Sequence, residues 1–440
     1  MGVTPSSQLR SRRVHYGHPE VVPMLEELLV DAQSALLVSV AIVTLFGACE
    51  FLHRKMSVRV ELTRKLSHVG AGVIVMSFPW VITSAWTVAA LSVSFGGLLY
   101  AGKVTGMLSS VHSVERKTSG AYYYPVAVLG TFWLAEGDPL LFCVPIAVMA
   151  LADTAAALVG QRLGINSYKV YDNERTLEGS LGFFILALPV IILGLALNGA
   201  PGWPVMLAVA VIAAIMATAT ESISVRGADN LFIPYTCFLV LDRAMRLGVE
   251  DLTGWAEGML IGLALVAVSY RPAALTPTGG ITVFLVTTLA WALGGAIWLL
   301  PMLTFFLLYI ATAPRMGRIR TDLDEVFPTA AGSMIVVLAF GHSGDPGLFV
   351  PYLATLTASG AIALGRMAQR RSWPTIPLAL SGALTPLIPM MAYKYEIPIV
   401  ALGVATAAGY ATFLSLASSQ FTGRRMVASL VAGAVAWVAV

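Results

Sequence analysis

Charge is what this chain has least of. Only 12% of its 440 residues are Asp, Glu, Lys or Arg, against roughly a quarter in a soluble domain, while 57% are hydrophobic. Such a chain lacks the polar residues needed to cover a water-soluble core. Cysteine is scarce too: Cys49, Cys143 and Cys237 lie in or beside apolar runs without CxxC spacing, which excludes an obvious disulfide framework, zinc ribbon or thiol redox motif. No GxxxxGK[ST] stretch occurs, so an ordinary P-loop nucleotide site is not expected. Residues 1–32 form a polar tail without the apolar centre and small-residue cleavage site of a signal peptide.

What is present is a succession of apolar segments from residue 33 to the C-terminus, separated by Gly, Pro or charge. They predict an all-α fold: a polytopic integral membrane helical bundle of about 14–16 transmembrane helices. Among the expected spans are 66–79, 139–160, 180–199, 203–221, 275–298 and 299–313. Several are shorter than the roughly 20 residues a perpendicular helix needs, so broken or re-entrant segments are expected. With the N-terminus outside, the cytosolic loops carry 21 of the 27 Lys and Arg residues, the bias the positive-inside rule requires. The net charge of +3 follows from that bias and points to no nucleic-acid partner.

Ionisable residues near membrane spans are costly and mark functional positions by default, although a single flanking charge is more often an interface anchor. Four clusters stand out, all at cytosolic span ends in this topology. "ELTRKLSHVGAG" places Lys65 and His68 three apart, on one helical face. "VERKTSGAYYYP" brings Ser, Gly and tyrosines to a span entrance, where they equally suit an aromatic belt. "ADTAAALVGQRLGINSYKVYDNERTLEGSLGFF" carries Asp153 on a small-residue helix, followed by Lys169, Arg175 and the "TLEGS" turn. "ATATESISVRGADNLFIPY" contributes Glu221, Asp229 and Asn230.

Asp153, Glu178, Glu221 and Asp229 suit a hard cation such as Mg2+, whereas Lys65, Lys169 and Arg175 suit phosphate oxygens. Gly160, Gly164, Gly179 and Ser180 would let backbone amides approach phosphates. This combination is what phosphoryl transfer requires. The residues alone therefore predict a membrane enzyme handling a phosphate compound and a metal at its cytosolic face, with a transporter as the non-enzymatic alternative.

Five pieces, "RKLSHVGAG", "TSGAYYYPVAV", "LADTAAALVGQRLG", "RTLEGSLGFF" and "TESISVRGADNLFIP", stand in order between about residues 60 and 235. Together they resemble the CTP-dependent polyprenol kinase family of dolichol, phytol and farnesol kinases, most closely the phytol kinase branch. The resemblance implies transfer of the gamma phosphate of CTP, or another nucleoside triphosphate, to the hydroxyl of an isoprenoid lipid alcohol, within a catalytic domain at 33–270. It implies Lys65, His68, Asp153 and Glu221 as catalytic residues, and Asp153, Glu178 and Asp229 as Mg2+ ligands. It implies Gly160, Gly164, Lys169, Arg175, Gly179, Ser180 and Asn230 as nucleotide-binding residues. Arg175 and Thr176 stand where the family usually has Lys-Ser, which leaves the nucleotide preference open. The nearest enzymatic alternative is a CTP-dependent cytidylyltransferase acting on a lipid phosphate.

From residue 271 onward, "ALTPTGGITVFLVTTLAWALGGAIWLLPMLTFFLL" weakly resembles the membrane domain of phytyl-phosphate kinases. No aspartate occurs around "LATLTASGAIALGRMAQRR", so 271–440 is expected to be a degenerate second domain that supports the first or shapes a lipid groove. "PRMGRIRTDLDEVFP" is expected to be a solvated connector.

Overall fold

The computed structural model describes residues 27–105, 120–171, 173–199, 202–247, 249–270, 275–312, 323–370, 374–392, 399–415 and 424–439. The N-terminal tail up to 26, the start of "VERKTSGAYYYP" and most of "PRMGRIRTDLDEVFP" lie outside these residues. The protein is an all-α polytopic membrane bundle: among the described residues, eight helices are long and apolar enough to cross a bilayer. Shorter apolar helices run over Thr329–Ser343, Thr375–Met391 and Val427–Trp437. The chain divides into two compact units, one comprising Met1–Asn166 and Thr176–Asp242, the other Ser167–Arg175 and Arg243–Val440.

The first unit begins with α1 (Ala32–Met56), whose last turn carries His53, Arg54 and Lys55, cations that suit the negative end of a helix. α2 follows over Val60–Val75, then a single turn at Phe78–Val81 and α3 over Ala85–Thr105. α2 begins well before the span expected at 66, so Lys65 is a helical residue and not the end of a loop. The buried carboxylate of Asp31 accepts from the amides of Thr83 and Ser84 and from the Thr83 hydroxyl, at 2.9–3.1 Å, just ahead of α3. Amides before a helix start need such acceptors, and a distant aspartate supplies them here.

α4 spans Gly120–Ala135 and α5 spans Pro139–Ala147. Between them Glu136 and Gly137 turn the chain with positive φ, and Asp138 caps α5 by accepting from the amides of Leu140 and Leu141. Pro139 occupies the first turn, where a missing N–H costs nothing. Past Pro145 the helix widens into one π turn, Val148–Ala152, before continuing as α6 over Asp153–Leu163. α7 (Leu177–Leu197), capped by Thr176, α8 (Trp203–Ile223) and the first part of α9 (Asp229–Leu247) complete the unit. Phe78, Phe132 and Phe142 form its aromatic core, with ring centroids 5.3–6.5 Å apart.

The second unit contains a two-stranded hairpin, β1 (Ser167–Val170) and β2 (Asn173–Thr176), whose last residue returns the chain to the first unit. Its helices are α10 (Val249–Ser269), α11 (Pro277–Thr312), α12 (Leu323–Ser343), α13 (Phe349–Arg370), α14 (Thr375–Leu384), α15 (Ile388–Ala392), α16 (Ile399–Ser415) and α17 (Arg424–Ala439). The expected spans 275–298 and 299–313 are one element broken at Gly295, whose φ of 68° and ψ of −161° are open essentially to glycine alone. Beside the break, the Trp298 ring stacks on Phe340 and its carbonyl accepts from the Tyr352 hydroxyl. α13 is the central, almost wholly buried helix, packed by α12, α14, α16 and α17. At Gly360 it meets α14 so closely that a Cβ would lie 2.2 Å from the Gly382 carbonyl oxygen.

Candidate functional site

The site is built around Asp153, the first residue after the π turn and about 15 Å, at 1.5 Å per residue, from the end of α6. It therefore lies deep within the 25-residue apolar helix Pro139–Leu163, not at its rim. α2 runs past it, with Lys65, His68 and Gly72 near one side at a spacing of three and four. A Cβ at Gly72 would meet the Ala150 Cβ at 2.7 Å, so the bare glycine lets α2 lie against the π turn. At that distance the Lys65 ammonium donates to Asp153 Oδ2 at 2.6 Å and to the Asp153 carbonyl at 3.3 Å. The two side chains are only 5% and 13% exposed, so each charge depends on the other for its solvation.

His68 adds a third group. Its Nε2 lies 3.4 Å from the Met149 carbonyl and 3.9 Å from Asp153 Oδ2. Facing two acceptors, Nε2 is the nitrogen that carries hydrogen in the neutral ring, which leaves Nδ1 as the acceptor. The widened turn thus turns two main-chain carbonyls, those of Met149 and Asp153, towards α2. π turns are rare and recur at functional sites because they re-aim groups that a regular helix keeps along its axis.

Arg64 borders the same region. Its guanidinium binds Glu61 through two hydrogen bonds, 2.6 and 3.1 Å long, and lies within electrostatic reach of Asp153 and Asp229. Burial by itself would raise the Glu61 carboxyl, but Arg64, Lys65 and a hydrogen bond from Gln161 outweigh it and hold the group below its ordinary range. A partly exposed guanidinium at the edge of the Lys65–Asp153 pair is suited to phosphate oxygens.

The other expected residues have partners of their own. Glu221 is buried on α8 and accepts from Ser180 at 3.4 Å, and Ser180 also shares a hydrogen bond with Ser222. Asn230 donates to the Gly120 carbonyl at 3.0 Å, tying the start of α9 to the start of α4. Glu178 accepts from the amides of Ile165 and Asn166 and from the Asn166 side chain, at 2.7–3.2 Å, clasping the turn after α6. Gly160, Gly164 and Gly179 are used for close packing: added Cβ atoms would lie 2.3–3.1 Å from Thr176 atoms or backbone carbonyls. Lys169 and Arg175 belong to the hairpin of the second unit.

Asp153 and Asp229 both lie within electrostatic reach of Arg64, whereas Glu178 holds the turn after α6. Among the described residues, no group of three or more His, Cys, Asp or Glu could hold a metal. The donor set fits Mg2+ only in its usual phosphoryl-transfer mode, with one or two carboxylates and the remaining positions taken by phosphates and water.

Two contributors were not singled out from the sequence. Arg64 was visible only as part of a basic run, where an interface anchor is the ordinary reading. Tyr124 stood within a run of three tyrosines; its ring meets His68 edge-on, with centroids 5.3 Å apart. The π turn has no signal in composition, since "VMALA" is unremarkable apolar sequence.

No family model and no solved structure matches the chain. A curated phytol kinase from Synechocystis is 33% identical over 195 residues, which is 43% of this chain and 82% of that protein. Identity at that level over most of a relative's length places the chain by descent, and the basic helix packed on a buried aspartate is chemically consistent with it: the protein belongs to the phytol kinase family.

Proposed function

We propose that the protein transfers the gamma phosphate of CTP to the hydroxyl of an isoprenoid lipid alcohol such as phytol or farnesol, at the cytosolic face of the membrane. The observation that carries this reading is the buried Lys65–Asp153 pair with His68 beside it. Cations, a carboxylate and a neutral imidazole in a water-poor site are the parts that phosphoryl transfer to an alcohol needs.

The alcohol oxygen attacks the gamma phosphorus, the bond to the bridging oxygen breaks, and the electron pair leaves with the nucleoside diphosphate. Lys65 and Arg64 neutralise phosphate oxygens as charge shifts to the leaving group. Asp153 is the carboxylate that would hold Mg2+, which when bound supplies further charge neutralisation on the phosphates. His68, with hydrogen on Nε2, accepts the alcohol's proton at Nδ1. The apolar helices of the first unit suit a long hydrocarbon chain, which can remain in the bilayer while its hydroxyl reaches Asp153.

The test is turnover by the purified full chain in lipid nanodiscs, with CTP labelled at the alpha or gamma position and a panel of farnesol, geranylgeraniol, phytol, dolichol and diacylglycerol. Gamma label in a lipid monophosphate, with CDP as co-product, is the expected result. Pyrophosphate with alpha label in the lipid would mean a cytidylyltransferase, and no turnover of any alcohol would overturn the kinase reading.

A further inference from the structure

Tyr124 is, with Thr87 and Thr131, one of three described residues of the first unit whose hydroxyl is buried without a partner, and it is the one packed on His68. Its hydroxyl oxygen is buried and has no hydrogen-bond partner. An unpaired buried hydroxyl costs on the order of 1–3 kcal/mol, so its surroundings bear on its use. The ring packs edge-on against His68, and the point where a Gly72 Cβ would sit is 3.5 Å from the hydroxyl oxygen. The unpaired hydroxyl therefore lies against the face of α2 that carries Gly72 and the imidazole.

We propose that Tyr124 is the substrate-positioning residue for the lipid alcohol, donating its hydroxyl hydrogen to the alcohol oxygen as that oxygen faces the phosphate. The inference rests on the kinase reading above and deepens it. An alcohol oxygen has one hydrogen and two lone pairs. In the transfer, the hydrogen goes to His68 and one lone pair forms the bond to phosphorus. The second lone pair remains, and a buried O–H next to the imidazole satisfies it. The tyrosine hydrogen is not transferred. The contact fixes the direction of the attacking pair, the kind of orientation that carries much of the rate in a reaction with little covalent chemistry for the protein to do. It also explains the lack of a protein partner: a group saturated by the fold could not meet the substrate.

The test is Tyr124→Phe in the full chain, compared with wild type and with Tyr123→Phe in the same run of tyrosines. Phenylalanine keeps the edge-on contact with His68 and removes only the hydroxyl. The expected result is a fall in kcat/KM for the alcohol of about tenfold or more, a KM for CTP within twofold of wild type, and a melting temperature equal to or above wild type. Tyr123→Phe is expected to leave all three unchanged. The thermal shift produced by farnesol, measured without nucleotide, is expected to shrink in Tyr124→Phe, a readout that does not depend on turnover. An alcohol kcat/KM within twofold of wild type, or an unchanged farnesol shift, overturns the assignment while leaving the kinase reading intact. A wild-type protein that phosphorylates no alcohol removes both.

Discussion

The two units bury polar groups of different kinds. Among the described residues, the first buries Asp31, Lys65, Glu221 and Asp242, whereas the polar residues buried in the second are serines and threonines such as Ser269, Thr282, Thr355 and Thr357. Several of those hydroxyls return a hydrogen bond to a carbonyl three or four residues earlier in their own helix, as Ser269 does to Leu265, Thr282 to Thr278 and Thr355 to Tyr352. A helix can satisfy a hydroxyl locally at little cost. A buried charge has no such option and needs a partner from another element. Asp31 and Lys65 both have one, with opposite meaning. Asp31 is saturated by the Thr83 and Ser84 amides and holds the fold, while Lys65 and Asp153 sit beside an unpaired tyrosine and an imidazole.

If that contrast marks where the chemistry is, Asp153→Asn should have the largest effect. It removes the carboxylate and leaves Lys65 buried without its ion-pair partner. Turnover should fall at least about a hundredfold and stability by roughly 3–5 kcal/mol. In the second unit, Thr357→Val deletes a hydroxyl that bonds Ala354 and Thr406, and should cost only about 1 kcal/mol without comparable loss of turnover. Steady-state rates and thermal melts of both variants decide the matter. Full activity in the aspartate variant, or a comparable loss in the threonine variant, would break the comparison.

The next effect concerns backbone approach. Gly72→Ala places a Cβ 2.7 Å from that of Ala150, which forces α2 away from the π turn and stretches the Lys65–Asp153 pair. A loss of about 1–3 kcal/mol is expected, with a lower kcat. Gly47→Ala, in α1 where nothing lies within 4 Å of the new Cβ, should be neutral or stabilising by up to about 1 kcal/mol. Equal melting temperatures for the two variants would show that α2 does not depend on this close approach.

The smallest effect is electrostatic. Because Glu61 is held below its ordinary range, its pairing with Arg64 contributes stability that is fully present above the unfolded carboxylate pKa, about 4.3. That contribution is lost as the pH falls through the lower folded value. Glu61→Gln should therefore cost about 0.5 kcal/mol at neutral pH, and the difference from wild type should shrink on acidification. Melts of both proteins from pH 7 down to pH 4 check the sign; a gap that widens with acid would contradict it.

Much of the site was legible before the structure. The spacing of Lys65 and His68 put them on one face, and a carboxylate in an apolar helix marked Asp153. The helix ran further than the expected span end at 160, because α6 continues to Leu163. The glycines were less legible still. In sequence, a glycine that admits a phosphate and one that admits a neighbouring segment look alike, and the structure shows Gly160, Gly164 and Gly179 close to Thr176 or backbone carbonyls. Glu178 showed the same ambiguity: a carboxylate at a turn suits a metal or the turn's own amides, and here the amides of Ile165 and Asn166 occupy it.

By itself, the sequence determined that this protein is a membrane bundle and which ionisable residues it could not place in lipid without reason. Hydropathy and charge act additively along the chain, so composition and local spacing carry that information. Which of those residues meet was decided by the tertiary structure alone. A one-residue widening of a helix and the bare face of Gly72 set the approach of α2 to Asp153, and that approach selects Lys65, His68 and Arg64 over other basic residues. Such contacts depend on distances of a few ångströms between segments some ninety residues apart, where sequence position alone carries no distance.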